Sequence, residues 1–230
     1  MARNEPVFDA SEPVDPRCLK PLALCVCDEV RPIANRVELL VLQHPQEQDK
    51  LLGTARLAIQ QFGNATFRVG LSWPSLAKAL GRPADPKRWA TLFLGGTHGT
   101  DFPPGRDIAV FDRKGKAVED QDRQLAGIDG VILLDGSWSQ AKTLWWRNAW
   151  LLKGKRIALR PGRPSLYGRL RREPRREGLS TIEAAGMILA RLEKRPEAEA
   201  ETGRIFSRML ERYGEAANRS AGTPASAPAA

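Results

Sequence analysis

An apolar run, Gly130-Val131-Ile132-Leu133-Leu134, stops abruptly at Asp135-Gly136, and this junction constrains the fold more than any other stretch. Aliphatic and β-branched residues closed by Asp-Gly predict a buried strand that ends in a turn. Ser137 is followed three positions later by Gln140, the pattern of a capping box, so a helix is expected from Trp138. Strand, tight turn and helix together put Asp135 at the carboxyl end of a strand, the edge where open α/β sheets bind ligands. A second reading has Asp135 stabilising a turn and Trp138 filling core.

The rest of the chain alternates in the same way. Strands are expected at 36–43, 65–69, 90–95, 108–112 (an edge strand) and 156–159, each a short aliphatic run bounded by Gly, Pro or a charge. Leu52, Ala55, Ile59 and Phe62 recur at helical spacing and predict an amphipathic helix over 50–62. Shorter helices are expected at 75–80 and 119–126. A second capping box, Ser180 to Glu183, opens a helix with a broad apolar face, and a last amphipathic helix spans 197–217. Alternating strands and helices of this kind predict an α/β class with a mostly parallel sheet flanked by helices. On the helix after Ser137, Trp145 is expected in the core. Trp146 and Trp150, interleaved with Lys142 and Lys153, stay open between core packing and stacking on unpaired bases.

Composition narrows the functional classes. The 230 residues are 42% hydrophobic, enough for one compact domain plus extensions. No apolar run approaches the length of a membrane span, no secretory signal pattern opens the chain, and a cytoplasmic location without membrane association is the expectation. Thirty-six basic against twenty-seven acidic residues leave a net charge of +9, which favours a polyanionic partner. That charge is concentrated: between Arg160 and Arg176 there are seven arginines and one acid, Glu173. Arginine forks match phosphate oxygens, so Arg163, Arg169, Arg171, Arg172, Arg175 and Arg176 are candidates for gripping an RNA backbone. His44, one of two histidines, ends the first strand before Pro45 and reads either as a general base or as a hydrogen-bonded structural imidazole. Three cysteines, Cys18, Cys25 and Cys27, fall within ten residues, which points to a metal site more than to a disulfide, the alternative being three reduced, partly buried thiols. Residues 1–16 are expected to be poorly ordered, as is the Ala/Ser/Pro/Gly tail 218–230.

Four stretches in order carry a resemblance: Leu42-Gln43-His44-Pro45-Gln46-Glu47, Gly53-Thr54-Ala55-Arg56, Asp135-Gly136-Ser137-Trp138 with Ala141, and Leu179-Ser180-Thr181-Ile182-Glu183-Ala184-Ala185. Together the chain resembles the DTW-domain family from about Cys18 to Glu193. The resemblance implies a tRNA-uridine aminocarboxypropyltransferase, which moves the 3-amino-3-carboxypropyl group of S-adenosylmethionine to uridine N3. It also implies a SPOUT-like sheet with a C-terminal trefoil knot, an exception to the rule of unknotted chains.

In such folds the loops after three strands wrap the cofactor. Carried to this chain, the cofactor-binding candidates are Leu94 and Gly95; Leu134, Asp135, Gly136, Ser137 and Trp138; Leu159, Arg160 and Pro161; with Ser180, Thr181 and Ala184 closing the pocket. His98 follows in the glycine-rich loop. Asp135 and Trp138 are the catalytic candidates, Asp135 as anchor for the α-ammonium or as base toward N3. The RNA-facing set also takes in His44, Arg56 and Tyr167, though for Arg56, with Thr54, the resemblance implies an approach to the ligand or to RNA. The resemblance also places Asp15 where relatives carry a first cysteine, so Asp15, Cys18, Cys25 and Cys27 form a candidate zinc set, a carboxylate oxygen being an acceptable fourth ligand.

The implied organisation is an N-terminal extension over 1–35, a catalytic domain over 36–217 and a tail, with tRNA as partner, no protein partner and a monomer slightly favoured over an oligomer. Two rivals remain: a SPOUT-type RNA methyltransferase, and a non-catalytic zinc-containing RNA-binding module.

Overall fold

The computed structural model describes residues 6, 8, 12–92, 102–168, 170 and 178–222, with residues 221 and 222 described by backbone alone. A two-stranded hairpin, β1 (Val14–Asp15) and β2 (Lys20–Pro21), precedes a six-stranded sheet. The sheet comprises β3 (Glu38–Gln43), β4 (Ala65–Val69), β5 (Trp89–Leu92), β6 (Ile108–Phe111), β7 (Gly130–Asp135) and β8 (Lys155–Leu159). The helices are α1 (Ala55–Gln61), α2 (Leu76–Leu80), α3 (Gln121–Ala126), α4 (Trp138–Arg147), α5 (Thr181–Glu193) and α6 (Glu197–Gly222). The spatial order is β4-β3-β7-β5-β8-β6, with every neighbouring pair parallel except β6 against β8 at the edge. The expected α/β class with a mostly parallel, helix-flanked sheet is what the chain forms.

Side chains alternate across a strand, so odd and even positions build two different cores. Leu39, Val41, Val131 and Leu133 point into a layer with Ala55, Leu57 and Ala58 of α1, Ile182, Ile188 and Leu189 of α5, and Phe206 and Met209 of α6. Leu40, Leu42 and Ile132 point the other way, onto Leu76, Ala79 and Leu80 of α2 and onto Trp150 and Leu151. β3 and β7 sit in the middle of the sheet and are buried along almost their whole length, as strands covered on both faces must be.

Several boundaries differ from expectation for identifiable reasons. α1 starts at Ala55 instead of residue 50, because the Leu51 and Leu52 carbonyls accept side-chain hydrogen bonds from Lys20 Nζ (2.6 Å) and the Tyr167 hydroxyl (2.5 Å) instead of continuing a helical ladder. α4 stops at Asn148, whose buried amide donates to the Leu71 and Leu144 carbonyls and accepts from Trp73 N at 2.8 Å. Trp150 therefore leaves the helical face it shares with Trp146 in sequence; it is buried, with its indole N–H on the Trp73 carbonyl at 2.8 Å. Trp145 is half-buried against the second core, whereas Trp146 is 78% exposed. α6 continues through residues 218–222, expected as tail.

The N-terminal segment is integrated into the domain. Residues 12–16, expected as loose, include β1. Val26 joins the first core, Leu24 packs on Tyr213 and Ala216, and Arg212 of α6 donates to the Cys25 carbonyl and, at 2.5 Å, to Glu29. Among the described residues no helix is long and apolar enough to cross a membrane.

Candidate active site

Register decides what meets Asp135. β3 and β7 pair so that Gln43 lies opposite Asp135 at the carboxyl ends of both strands. Both residues follow the odd-numbered alternation that faces α1 and α5, so the last position of each strand presents a polar side chain under the amino end of α5. Asp135 is 7% exposed and Gln43 3%. Gln43 Nε2 donates to Asp135 Oδ2 at 2.8 Å, and the Thr181 hydroxyl donates to Asp135 Oδ1. The Asp135 carbonyl in turn accepts from His44 N at 2.9 Å. A carboxylate can only accept, so it fixes the Gln43 amide with its nitrogen inward and leaves Gln43 Oε1 as a buried acceptor with no partner among the described residues.

The turn after Asp135 is as tight as the sequence suggests. A Cβ on Gly136 would lie 2.8 Å from Gln140 Cβ and 3.4 Å from His44 Cβ, so only glycine fits without movement. Gln140 Oε1 accepts from Ser137 N at 2.6 Å and closes the start of α4. At α5 the capping box is complete: Glu183 N donates to Ser180 Oγ at 3.3 Å and Ser180 N to Glu183 Oε2 at 3.0 Å. Glu183 also accepts from Ser165 Oγ at 2.6 Å and Leu166 N at 2.8 Å, which ties the segment after β8 to α5. Ile182 N reaches Thr54 Oγ1 at 3.4 Å, so α1 and α5 begin side by side next to Asp135.

Two cations, Lys20 of the β1–β2 hairpin and Arg56 of α1, come from neighbouring elements. Lys20 is buried; its ammonium donates to the Leu51 carbonyl at 2.6 Å and the Lys50 carbonyl at 3.4 Å. Burial pulls its pKa down to about 8, opposed by the negative charge of Cys18 and Asp135 and assisted by Arg56. Arg56 lays its guanidinium over the Phe67 ring, 4.9 Å from the centroid, and its Nε is buried with no hydrogen-bond partner. Neither Gln43 nor Lys20 was singled out from the sequence as a site residue. Gln43 had one legible signal, its place as the last residue of a strand beside His44-Pro45; a buried lysine has none.

The remaining candidates are dispersed. Ser137 and Trp138 are half-buried at the start of α4, with Lys142 Nζ 5.4 Å from the Trp138 ring. Leu134 and Leu159 are half-buried and pack on the two cores; Ala184 is buried. Arg160 lies over Phe102, 5.1 Å from its centroid, and donates to the Arg106 carbonyl at 2.7 Å, away from Asp135. Pro161 lines an open cleft with Arg163, Glu183, Met187 and Thr202, between the segment after β8 and α5–α6. Asp135, Ser137 and Thr181 do not line that cleft.

His44 is buried at the strand end, and its Nδ1 accepts from Gln46 N at 3.3 Å. Tyr167 is 3% exposed and stacks edge-on to Phe206 at 4.9 Å, so its ring packs in the core. Leu94, Gly95 and His98, and Arg169, Arg171, Arg172, Arg175 and Arg176, lie outside the described residues.

Asp15, Cys18, Cys25 and Cys27 converge in the β1–β2 region, all four buried, with one candidate ligand atom from each lying within 4.8 Å of the others. Cys25 Sγ is 3.2 Å from Asp15 Oδ2, and Arg17 forks onto the same carboxylate at 2.6 Å, holding Asp15 well below the usual carboxylate range. The Cys18 thiol is lowered to about 6, chiefly by a hydrogen bond from Cys27, whose own thiol is raised by the same contact. Three soft sulfurs and one fixed oxygen suit a tetrahedral metal.

The chain matches the DTW domain over residues 15–214. Relatives named tRNA-uridine aminocarboxypropyltransferase 2 include one from Macaca fascicularis, 27% identical over 77% of this chain and 56% of its own length. Those from Mus musculus and Drosophila melanogaster are each 29% identical, over 77% and 79% of this chain and 56% and 67% of theirs. The chain thus spans little more than half the length of the mammalian relatives. No solved structure matches it. The domain match covers nearly all of the described fold, including the Gln43–Asp135–Thr181 contact, and the chain belongs to the DTW-domain family.

Proposed function

We propose that this protein transfers the 3-amino-3-carboxypropyl group of S-adenosylmethionine to N3 of a uridine in tRNA. The names of the relatives support the reaction. The observation that carries it here is the buried Asp135 carboxylate at the carboxyl edge of the sheet, held by Gln43 and Thr181 beside an unpaired acceptor. S-adenosylmethionine supplies a methylene carbon activated by sulfonium; the N3–C bond forms, the C–S bond breaks to release methylthioadenosine, and the N3 proton leaves. Sulfonium activates all three of its carbons, so positioning must select one. Asp135 serves that selection as an anchor for the α-ammonium or as the acceptor of the N3 proton. Trp138 and Ser137, at the start of α4, border the same turn. The finer fold reading, a SPOUT-like domain with its C-terminal part tied in a trefoil knot, belongs to this proposal. Five parallel strands, and the return of the chain from β8 to α5 beside β7, support it.

A tRNA partner draws support from the net charge of +9, the arginines of 160–176, and Trp146, whose exposed indole sits between basic Lys142 and Arg147. Incubation with S-adenosylmethionine and bulk tRNA should yield methylthioadenosine and a uridine heavier by the aminocarboxypropyl group, and neither product without RNA. Release of S-adenosylhomocysteine with a methylated nucleoside would assign the chain to methyl transfer instead.

The same proposal includes zinc held by Asp15, Cys18, Cys25 and Cys27, with Arg17 orienting the carboxylate. Zinc would supply structural cross-linking there, not chemistry. Protein purified without chelator should contain one zinc per chain. Asp15→Ala should lower that content and Asp15→Cys restore it; a metal-free wild type would leave a cluster of buried thiols.

A further inference from the structure

Two buried polar atoms near Asp135 have no partner among the described residues: Gln43 Oε1, an acceptor, and Arg56 Nε, a donor. Unpaired buried groups are costly, and in a native protein each calls for a cause. Gln43 cannot relieve its own by flipping, because Asp135 holds the amide nitrogen. Arg56 lies over Phe67, which pairs with Val41, two positions before Gln43 on the same face of β3, so Arg56 and the Gln43–Asp135 pair share one neighbourhood. The Lys20 ammonium is turned onto the Leu51 and Lys50 carbonyls. Arg56 is then the cation with a donor to offer on the sheet face whose strand ends carry a carboxylate and a bare amide oxygen.

A ligand that satisfied this set would carry a donor bearing positive charge beside an acceptor bearing negative charge. That is an α-amino acid end. A uracil edge offers a donor and an acceptor too, but it is neutral and leaves both charges unanswered. We infer that Arg56 binds the α-carboxylate of the donor's aminocarboxypropyl group while Gln43 Oε1 and Asp135 receive its α-ammonium. This rests on the functional reading above and deepens it. Arg56 becomes a specificity residue for the transferred group, not an RNA contact, and Asp135 becomes an anchor. Fixing both ends of the amino acid would turn its methylene, and not the methyl, toward the acceptor base, which is the selection that positioning must make.

The test uses calorimetry on the full chain without RNA. The probes are S-adenosylmethionine and decarboxylated S-adenosylmethionine, which keeps the sulfonium and the ammonium but lacks the carboxylate. Arg56→Met should weaken binding of the first by about 10- to 100-fold, the range for hydrogen bonds to charged groups. It should leave the second within about twofold of wild type. Arg56→Lys, which keeps charge but loses the fork, should fall between. Equal loss for both probes in both variants, or unchanged affinity for both with weaker tRNA binding, would overturn the inference. A wild type that binds neither probe removes both the inference and the functional reading. If wild type releases S-adenosylhomocysteine while Arg56→Met still discriminates the probes, carboxylate recognition stands and only the choice of transferred carbon falls.

Discussion

Asp135→Asn should lower single-turnover transfer at neutral pH by at least about a hundredfold, the scale on which positioned acid–base groups act, with the fold retained. The substitution keeps the shape at the end of β7 and an oxygen to accept from Gln43; its new N–H can donate to the Thr181 hydroxyl, which accepts as readily as it donates. What disappears is the negative charge. If Asp135 anchors the α-ammonium, as the unpaired atoms around it indicate, the loss persists at every pH and appears also as weaker binding of S-adenosylmethionine. If Asp135 takes the N3 proton, raising the pH until uridine N3 ionises should recover much of the rate. Rates across that range on unmodified tRNA transcript separate the two roles, and a mutant with wild-type rates at neutral pH would reduce Asp135 to a turn residue.

The largest effect on stability is expected at Gly186, on the face of α5 that packs against α6. A Cβ there would stand 2.0 Å from Thr202 Oγ1, 3.0 Å from Thr202 Cβ and 3.1 Å from the Ala198 carbonyl. Thr202 is buried and its hydroxyl donates to Ala198 O at 2.9 Å, so it cannot swing aside, and a helix backbone lies behind it. Overpacking of this kind costs about 3 kcal/mol. For a chain of this size Gly186→Ala should then lower Tm by about 6–12 °C. Thr202→Ala in the same chain should recover part of the loss by removing the nearest atom. Because α5 carries Thr181 to Asp135, the single mutant should also weaken transfer. A melting shift under about 2 °C would mean the two helices can separate without cost, contrary to the packing described.

Much of the frame was legible because it is local. Val131-Ile132-Leu133-Leu134 followed by Asp-Gly, and Ser-x-x-Gln or Ser-x-x-Glu before an apolar run, are short-range signals, and β7, α4 and α5 stand where they place them. The short-range signals failed where a distant side chain intervened. Residues 50–54 have helical spacing, yet Lys20 and Tyr167 capture the Leu51 and Leu52 carbonyls. Trp150 continues a helical stripe in sequence, yet Asn148 ends the helix by binding the chain near residue 72. Tyr167 stands within an arginine-rich stretch, yet its ring stacks on Phe206.

That Asp135 ends a buried strand, that Gly136 permits the turn and that two capped helices begin nearby could all be read from the residues alone, since each depends on near neighbours along the chain. The surroundings of Asp135 come instead from packing between distant elements. The order β4-β3-β7 and its register set Gln43, ninety-two positions away, opposite the aspartate, and the docking of α5 brought Thr181 from forty-six positions away. The hairpin β1–β2 delivered Lys20. Pairing register and layer packing are set by the summed burial of two apolar faces, and a one-residue slip would turn both strand ends away from the site.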